Sequence, residues 1–120
     1  HFKMVASEMD KLWDDIAILL EKDLSIEEIF YYASFIHAAF VSIHPFNDGN
    51  GRAGRLLEKW FLSQKLGEVA WYIQSEKYYY HHVNEYYKNL QRIGMFYDKI
   101  DYEKASQFFQ MLPHAISYKG

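Results

Sequence analysis

The chain has 120 residues, half of them apolar, enough for one hydrophobic core and a single domain. Its 13 basic and 16 acidic residues leave a formal charge of −3 without long like-charge runs, which disfavours a sequence-independent nucleic-acid binder. Cysteine is absent, excluding a disulfide framework and thiolate chemistry, and no apolar run approaches the length of a membrane span; a soluble, cytoplasmic protein without nucleic-acid or membrane partners is expected.

Met9, Leu12, Trp13, Ile16 and Leu20 recur at helical spacing and predict a first helix over about Ser7 to Glu21, with Glu8, Asp10, Asp14 and Asp15 on its solvated face. Ser25 and Glu28 form a capping-box pair, so a second helix starts at Ile26 and runs to about Ser42. Its wide stripe of Ile29, Phe30, Ala33, Ile36, Ala39 and Phe40 suits the centre of a bundle. Pro45 restricts His44 and ends it. Periodicity resumes through Ala53, Leu56, Leu57, Trp60 and Phe61, with Gly67 as terminator. Residues 69 to 74, "VAWYIQ", read as an extended segment. Ser75 caps a tyrosine-rich helix from about Glu76 to Leu90 that "RIGM" breaks, and Asp101 caps a last helix that Pro113 stops. The expected fold is all-α, about five helices around one core.

The segment "HPFNDGNGRAGR", residues 44 to 55, breaks this regularity between the two central helices. Two glycines one residue apart, directly before a helix, let the loop take left-handed angles and gather backbone N–H groups on one point. The helix N-terminus adds unpaired amides and a positive dipole end, which is how proteins commonly hold phosphate. Arg52 and Arg55, three residues apart, can fork onto phosphate oxygens, and Asn50 can donate to one. Asp48 is a hard oxygen ligand suited to Mg²⁺ held together with substrate phosphates. His44 can accept a proton near neutral pH. A base, a metal ligand, an anion nest and two arginines are the inventory of in-line transfer at phosphorus.

At these residues the chain resembles the Fic domain family, whose signature is HPFx[D/E]GNGRxxR. His44, Pro45, Phe46, Asp48, Gly49, Asn50, Gly51, Arg52 and Arg55 match every specified position, and the helices leading in ("FIHAAFVSIHPF") and out ("GRLLEKWFL") are similar too. The resemblance implies a Fic-type helical bundle in which residues 1–120 form the catalytic core without the family's upstream flap hairpin. It implies transfer of AMP from ATP, with Mg²⁺, to a Tyr, Ser or Thr hydroxyl of a target protein. His44 is then the general base, Asp48 the Mg²⁺ ligand, Gly49, Asn50 and Gly51 the nest, Arg52 and Arg55 the outer-phosphate ligands, and Phe46 an inward-packed loop anchor. Tyr79 and Tyr80 correspond to paired tyrosines near the adenine. The family's inhibitory motif, [S/T]xxxE[G/N], does not occur in these residues, so inhibition directed at Arg55 would come from a helix or antitoxin outside this chain.

Two other readings stand beside this one: an inactive Fic-fold binding or regulatory module, and an enzyme of the same fold moving UMP or phosphate. His37, two turns before His44, reads as a packed, hydrogen-bonded histidine or an orienting group, and the tyrosines from Tyr78 to Tyr80 and at Tyr86 and Tyr87 as core and groove packing.

Overall fold

A computed structural model describes residues 2–91 and 102–115. Six α-helices, and no strand, are found among the described residues: α1 (Phe2–Glu21), α2 (Ile26–Ile43), α3 (Asn50–Leu66), α4 (Ser75–His81), α5 (Val83–Gln91) and α6 (Tyr102–Ala115). The all-α expectation holds. The single tyrosine-rich helix is in fact two, because His82 leaves helical angles (φ −118°, ψ 37°) between α4 and α5. Ser75 is not the cap of α4 but its first, buried residue; Gln74 holds the cap position. Pro113 does not stop α6, which continues to Ala115 because buried Leu112 and Ala115 keep that turn against the core. The expected "RIGM" break and Asp101 cap lie outside the described residues.

Helix α2 is the centre, packing against α1, α3, α5 and α6. Its capping box forms as expected: the Ser25 hydroxyl accepts from the Glu28 amide at 3.2 Å, and the Glu28 carboxylate accepts from the Ser25 amide at 2.9 Å. That contact also holds the exposed Glu28 carboxyl below its usual pKa. From Ala33 to Phe40 every residue of α2 is buried. This corrects the expectation that no run approaches a membrane span, since α2 has the length and apolarity of one; its apolar character is that of a bundle's central helix, more than half buried in protein.

On α1 the inward side chains are Leu12, Ile16 and Leu19, while Trp13 is half exposed and Glu8, expected in solvent, is buried. Lys65 of α3 donates to the carbonyls of Leu20 and Lys22, satisfying the open C-terminal end of α1. Helix α3 buries Glu58 and Lys59 and leaves Leu56 and Trp60 exposed, against the hydrophobic pattern. Both of these α3 charges are compensated. Glu58 meets His37 and Tyr79, and Lys59 donates to the carbonyls of Ala70 and Ile73 and pairs with Glu76. The Lys59 contacts explain a second departure, for residues Gly67–Tyr72, which include the first four residues of the segment read as extended, wind instead into a 3-10 helix over α3 after Gly67 reverses the chain at φ 74°.

Close approach of α2 and α3 depends on Gly54, where an added Cβ would lie 3.0 Å from His37 Cδ2 and 3.0 Å from Val41 Cγ2. His37 is fully buried and hydrogen-bonded at both ring nitrogens, so it has no room to yield. Overpacking outweighs the gain in helix propensity. Gly54→Ala is therefore expected to destabilise the protein by about 1–2 kcal/mol, measured by urea unfolding.

Candidate active site

The residues of the twelve-residue stretch meet where α2 ends and α3 begins. His44 closes α2: its amide donates to the Phe40 carbonyl at 3.1 Å, and its backbone is left-handed at φ 57°, ψ 59°. Among the described residues it alone, other than glycine, has positive φ. Such a conformation costs an L-residue roughly 1–2 kcal/mol and persists only when its surroundings impose it. Pro45 imposes part of it by disfavouring right-handed helical angles at His44.

Asn50 imposes the rest. Its side-chain oxygen accepts from the Phe46 amide at 3.0 Å, and its Nδ2 donates to the Phe46 carbonyl at 2.8 Å. The buried amide thus closes the loop on itself. The same Nδ2 lies 3.2 Å from His44 Nδ1. Because Phe46 fixes which end of the Asn50 amide is nitrogen, Nδ1 of His44 is the acceptor, and the neutral imidazole carries its hydrogen on Nε2. Proton uptake at Nε2 entails a tautomer switch that gives up this long contact.

Two expectations change here. The Asn50 side-chain amide, expected to face a phosphate, is engaged with Phe46 and His44, which leaves its backbone N–H toward the cavity. Phe46 is not packed inward. The residue is 54% exposed, with the Phe40 ring centroid 6.1 Å from its own, and the anchor of the loop is Asn50 instead.

Gly49 caps α3 in the left-handed region at φ 83°, with no side-chain cap bond. The first helical bond runs from Ala53 to the Gly49 carbonyl at 2.9 Å, so the amides of Asn50, Gly51 and Arg52 precede the hydrogen-bonded ladder and stay open to an anion. A cavity of about 810 Å³ lies over them, and His44, Asp48, Gly49, Asn50, Gly51, Arg52 and Arg55 all line it. Asp48 and Arg52 stand in solvent, with side chains 97% and 77% exposed and a loose 4.0 Å ion pair between them. Arg55 is held closer: Nη1 donates to the Tyr86 hydroxyl at 3.3 Å, and the guanidinium carbon sits 5.7 Å from the centroid of that ring.

Tyr86, Tyr87 and Leu90 form the far wall of this cavity. Sequence reading assigned the two tyrosines to packing, and no local signal separates them from the other tyrosines of the segment. A second cavity of about 440 Å³ shares Arg55, Tyr86 and Tyr87 with the first. Tyr79 and Tyr80, expected at the adenine, touch this second cavity only. Tyr79 is 2% exposed with its hydroxyl turned to Glu58, so it offers no ring face to a base, whereas Tyr80 stands exposed on the rim.

Beneath the site, His37 Nδ1 lies 2.7 Å from Glu58 Oε2 and His37 Nε2 lies 2.8 Å from the Tyr86 hydroxyl. The packed, hydrogen-bonded role expected for His37 is the one observed. Burial raises the Tyr86 phenol to a pKa of about 12, against the nearby Arg55 charge that favours ionisation. Tyr79 rises well above the ordinary tyrosine range, through burial first and the Glu58 carboxylate second.

The sequence model of the Fic/DOC family matches residues 1–62, just over half of the chain and all of the loop described above. The chain belongs to the Fic/DOC family. It is similar to a protein of Nematostella vectensis named Protein adenylyltransferase Fic, with 38% identity over 68 residues. That stretch is 56% of this chain and 16% of the relative, so the chain corresponds to a small part of that protein's length. No solved structure is a significant match.

Asn50→Ala removes the loop clasp and the contact to His44 while leaving the helices intact. The expected cost is about 2 kcal/mol, seen as faster amide hydrogen exchange confined to residues 44–50. The Tyr86 phenol gives a pH signature as well. The unfolded chain ionises it near 10.0 and the folded protein near 12, so its contribution is complete below pH 10 and is lost as pH rises between these values. The fall in thermal stability across that window should be shallower in Tyr86→Phe than in the wild type.

Proposed function

We propose that this chain is the catalytic core of a protein adenylyltransferase, moving AMP from Mg-ATP to a Tyr, Ser or Thr hydroxyl of a target protein. The observation that carries the reading is that one cavity is lined by every polar and glycine position of the loop signature, His44 through Arg55, beside open amides of a seventeen-residue helix. The name of the Nematostella vectensis relative supports the same chemistry.

In this reading the triphosphate lies over the amides of Asn50, Gly51 and Arg52, with Arg52 and Arg55 on its outer phosphates. The base occupies the smaller cavity beside Tyr80 and Tyr87. The target hydroxyl enters next to His44, which takes its proton as the oxygen attacks the α-phosphorus. The bond from that phosphorus to the bridging oxygen breaks, and pyrophosphate leaves, its charge met by the two arginines and the helix end. The resting hydrogen bond from Asn50 to Nδ1 opposes proton uptake at Nε2 by about 1 kcal/mol, a small cost beside the barrier.

Asp48 fits a Mg²⁺ ion that arrives with the nucleotide. Among the described residues no group of three or more His, Cys, Asp or Glu is placed to hold a metal, and Mg²⁺ is commonly bound through one carboxylate plus substrate phosphates and waters. Such an ion would neutralise phosphate charge and orient the α-phosphate. The same donor set argues against zinc or iron, which need more protein ligands.

The experiment is intact-mass spectrometry of chain and candidate target after incubation with Mg-ATP, in parallel with ATP labelled at the α or the γ position. An AMP mass and retained α label are expected. Retained γ label would make the enzyme a phosphotransferase, and no label with preserved ATP binding would make it a binding module. His44→Ala should lower transfer by about 10²–10⁴-fold with ATP affinity unchanged. Asp48→Ala should raise the Mg²⁺ concentration needed for half-maximal rate; an unaltered Mg²⁺ titration would remove this acid from the site. An inhibitory helix or antitoxin acting at Arg55 is the partner this reading calls for.

A further inference from the structure

We infer that Tyr86 is a positioning residue for Arg55: its hydroxyl, anchored by the buried His37–Glu58 pair, holds one arm of the guanidinium and so presents the remaining N–H groups to the cavity. The inference rests on the reading of that cavity as a phosphate site.

With a neutral His37, one set of hydrogen-bond directions gives every group a partner. An arginine only donates, so the Tyr86 oxygen accepts from Arg55 Nη1 at 3.3 Å. The Tyr86 proton then goes to His37 Nε2 at 2.8 Å, which leaves His37 Nδ1–H to donate to Glu58 Oε2 at 2.7 Å. Tyr79 donates to the same carboxylate at 3.0 Å. Every member finds a partner in this one sense, from the guanidinium at the cavity to an acid in the core. His37, Glu58, Tyr79 and Tyr86 are all buried, so the anchor is rigid, and with their rings in mutual contact it resists rotation. The space beside it is kept by Gly51, where a Cβ would fall 3.1 Å from Arg55 Nη1 and 3.9 Å from the Tyr86 hydroxyl. Arg52 differs in every respect, with an exposed side chain and only the 4.0 Å approach to Asp48. Of the two arginines, Arg55 therefore meets an anion with its geometry already set, and Arg52 must be ordered on arrival.

The chain has only three arginines, so the Arg55 side chain is readily resolved by nitrogen-15 NMR. In the wild type, rotation about the Arg55 Nε–Cζ bond should be slow. Tyr86→Phe should make it fast, whereas Tyr79→Phe, which also takes a hydroxyl from Glu58 but does not touch Arg55, should leave it slow. Equal rotation in the wild type and Tyr86→Phe overturns the inference. Binding of inorganic triphosphate supplies the second arm. Tyr86→Phe should weaken it about three- to tenfold, and should have no further effect once Arg55 is alanine. The same loss with and without Arg55 would show a general structural effect and also overturns it. Should Arg55→Ala leave triphosphate binding unchanged, the phosphate reading of the cavity fails, and the rotation measurement alone decides the role of Tyr86. If Tyr86→Phe folds poorly, site-specific difluorotyrosine at position 86 keeps the packing and weakens the oxygen as an acceptor, and should give the same order of effects at smaller size.

Discussion

The His37–Glu58 hydrogen bond, made in the centre of the protein with both side chains fully buried, is the contact on which the rest of the structure depends. It ties α2 to α3, and through the Tyr79 and Tyr86 hydroxyls it reaches α4 and α5. A buried carboxylate is costly unless its lone pairs are met, and removing one partner from such a group typically costs about 3–5 kcal/mol. Two groups hold this one, His37 and the Tyr79 hydroxyl. Gly54 allows the two helix backbones to come near enough for the bond, and the stacked Tyr79 and Phe108 rings close over it from α4 and α6. The price in desolvation is offset by a network that ties side chains of four helices together, so these helices have little freedom to slide.

Above this core the loop is held by a different device. A left-handed His44, a left-handed Gly49 and the Asn50 side-chain amide bonded to Phe46 convert six residues into a closed turn without any regular hydrogen-bond ladder. The clasp lets the N-terminal amides of α3 remain unpaired, since Asn50 satisfies the backbone of Phe46 and leaves the helix end alone. An unpaired helix terminus next to a concave surface is a stored binding capacity for negative charge.

The parts of the site are thus divided by how they are attached. The amides, His44 and Arg55 are tied to the core directly or through one intermediate, while Asp48 and Arg52 project into solvent. The tied groups have a fixed geometry in the cavity, and under the proposed function the exposed ones would be ordered as a nucleotide and its counter-ion arrive. Preorganisation on one side and adaptability on the other is economical, because ordering a long exposed side chain costs entropy each time a ligand binds.

The sequence by itself determined the helical class, the capped start of α2, its end at Pro45, and the loop whose residues carry the family signature, because each of these is a local property of spacing, turn preference or residue type. It could not show that Phe46 faces solvent, that the Asn50 amide turns inward, or that Gly67–Tyr72 winds into a 3-10 helix. Nor could it distinguish Tyr86 from its neighbours. Position 86 joins Arg55 across 31 residues and His37 across 49, and Glu58 and Lys59 lie against the hydrophobic pattern of their own helix. Those features exist only once α2, α3 and α5 are packed, for a buried charge is tolerated by its partners in space, which no local pattern of residues records.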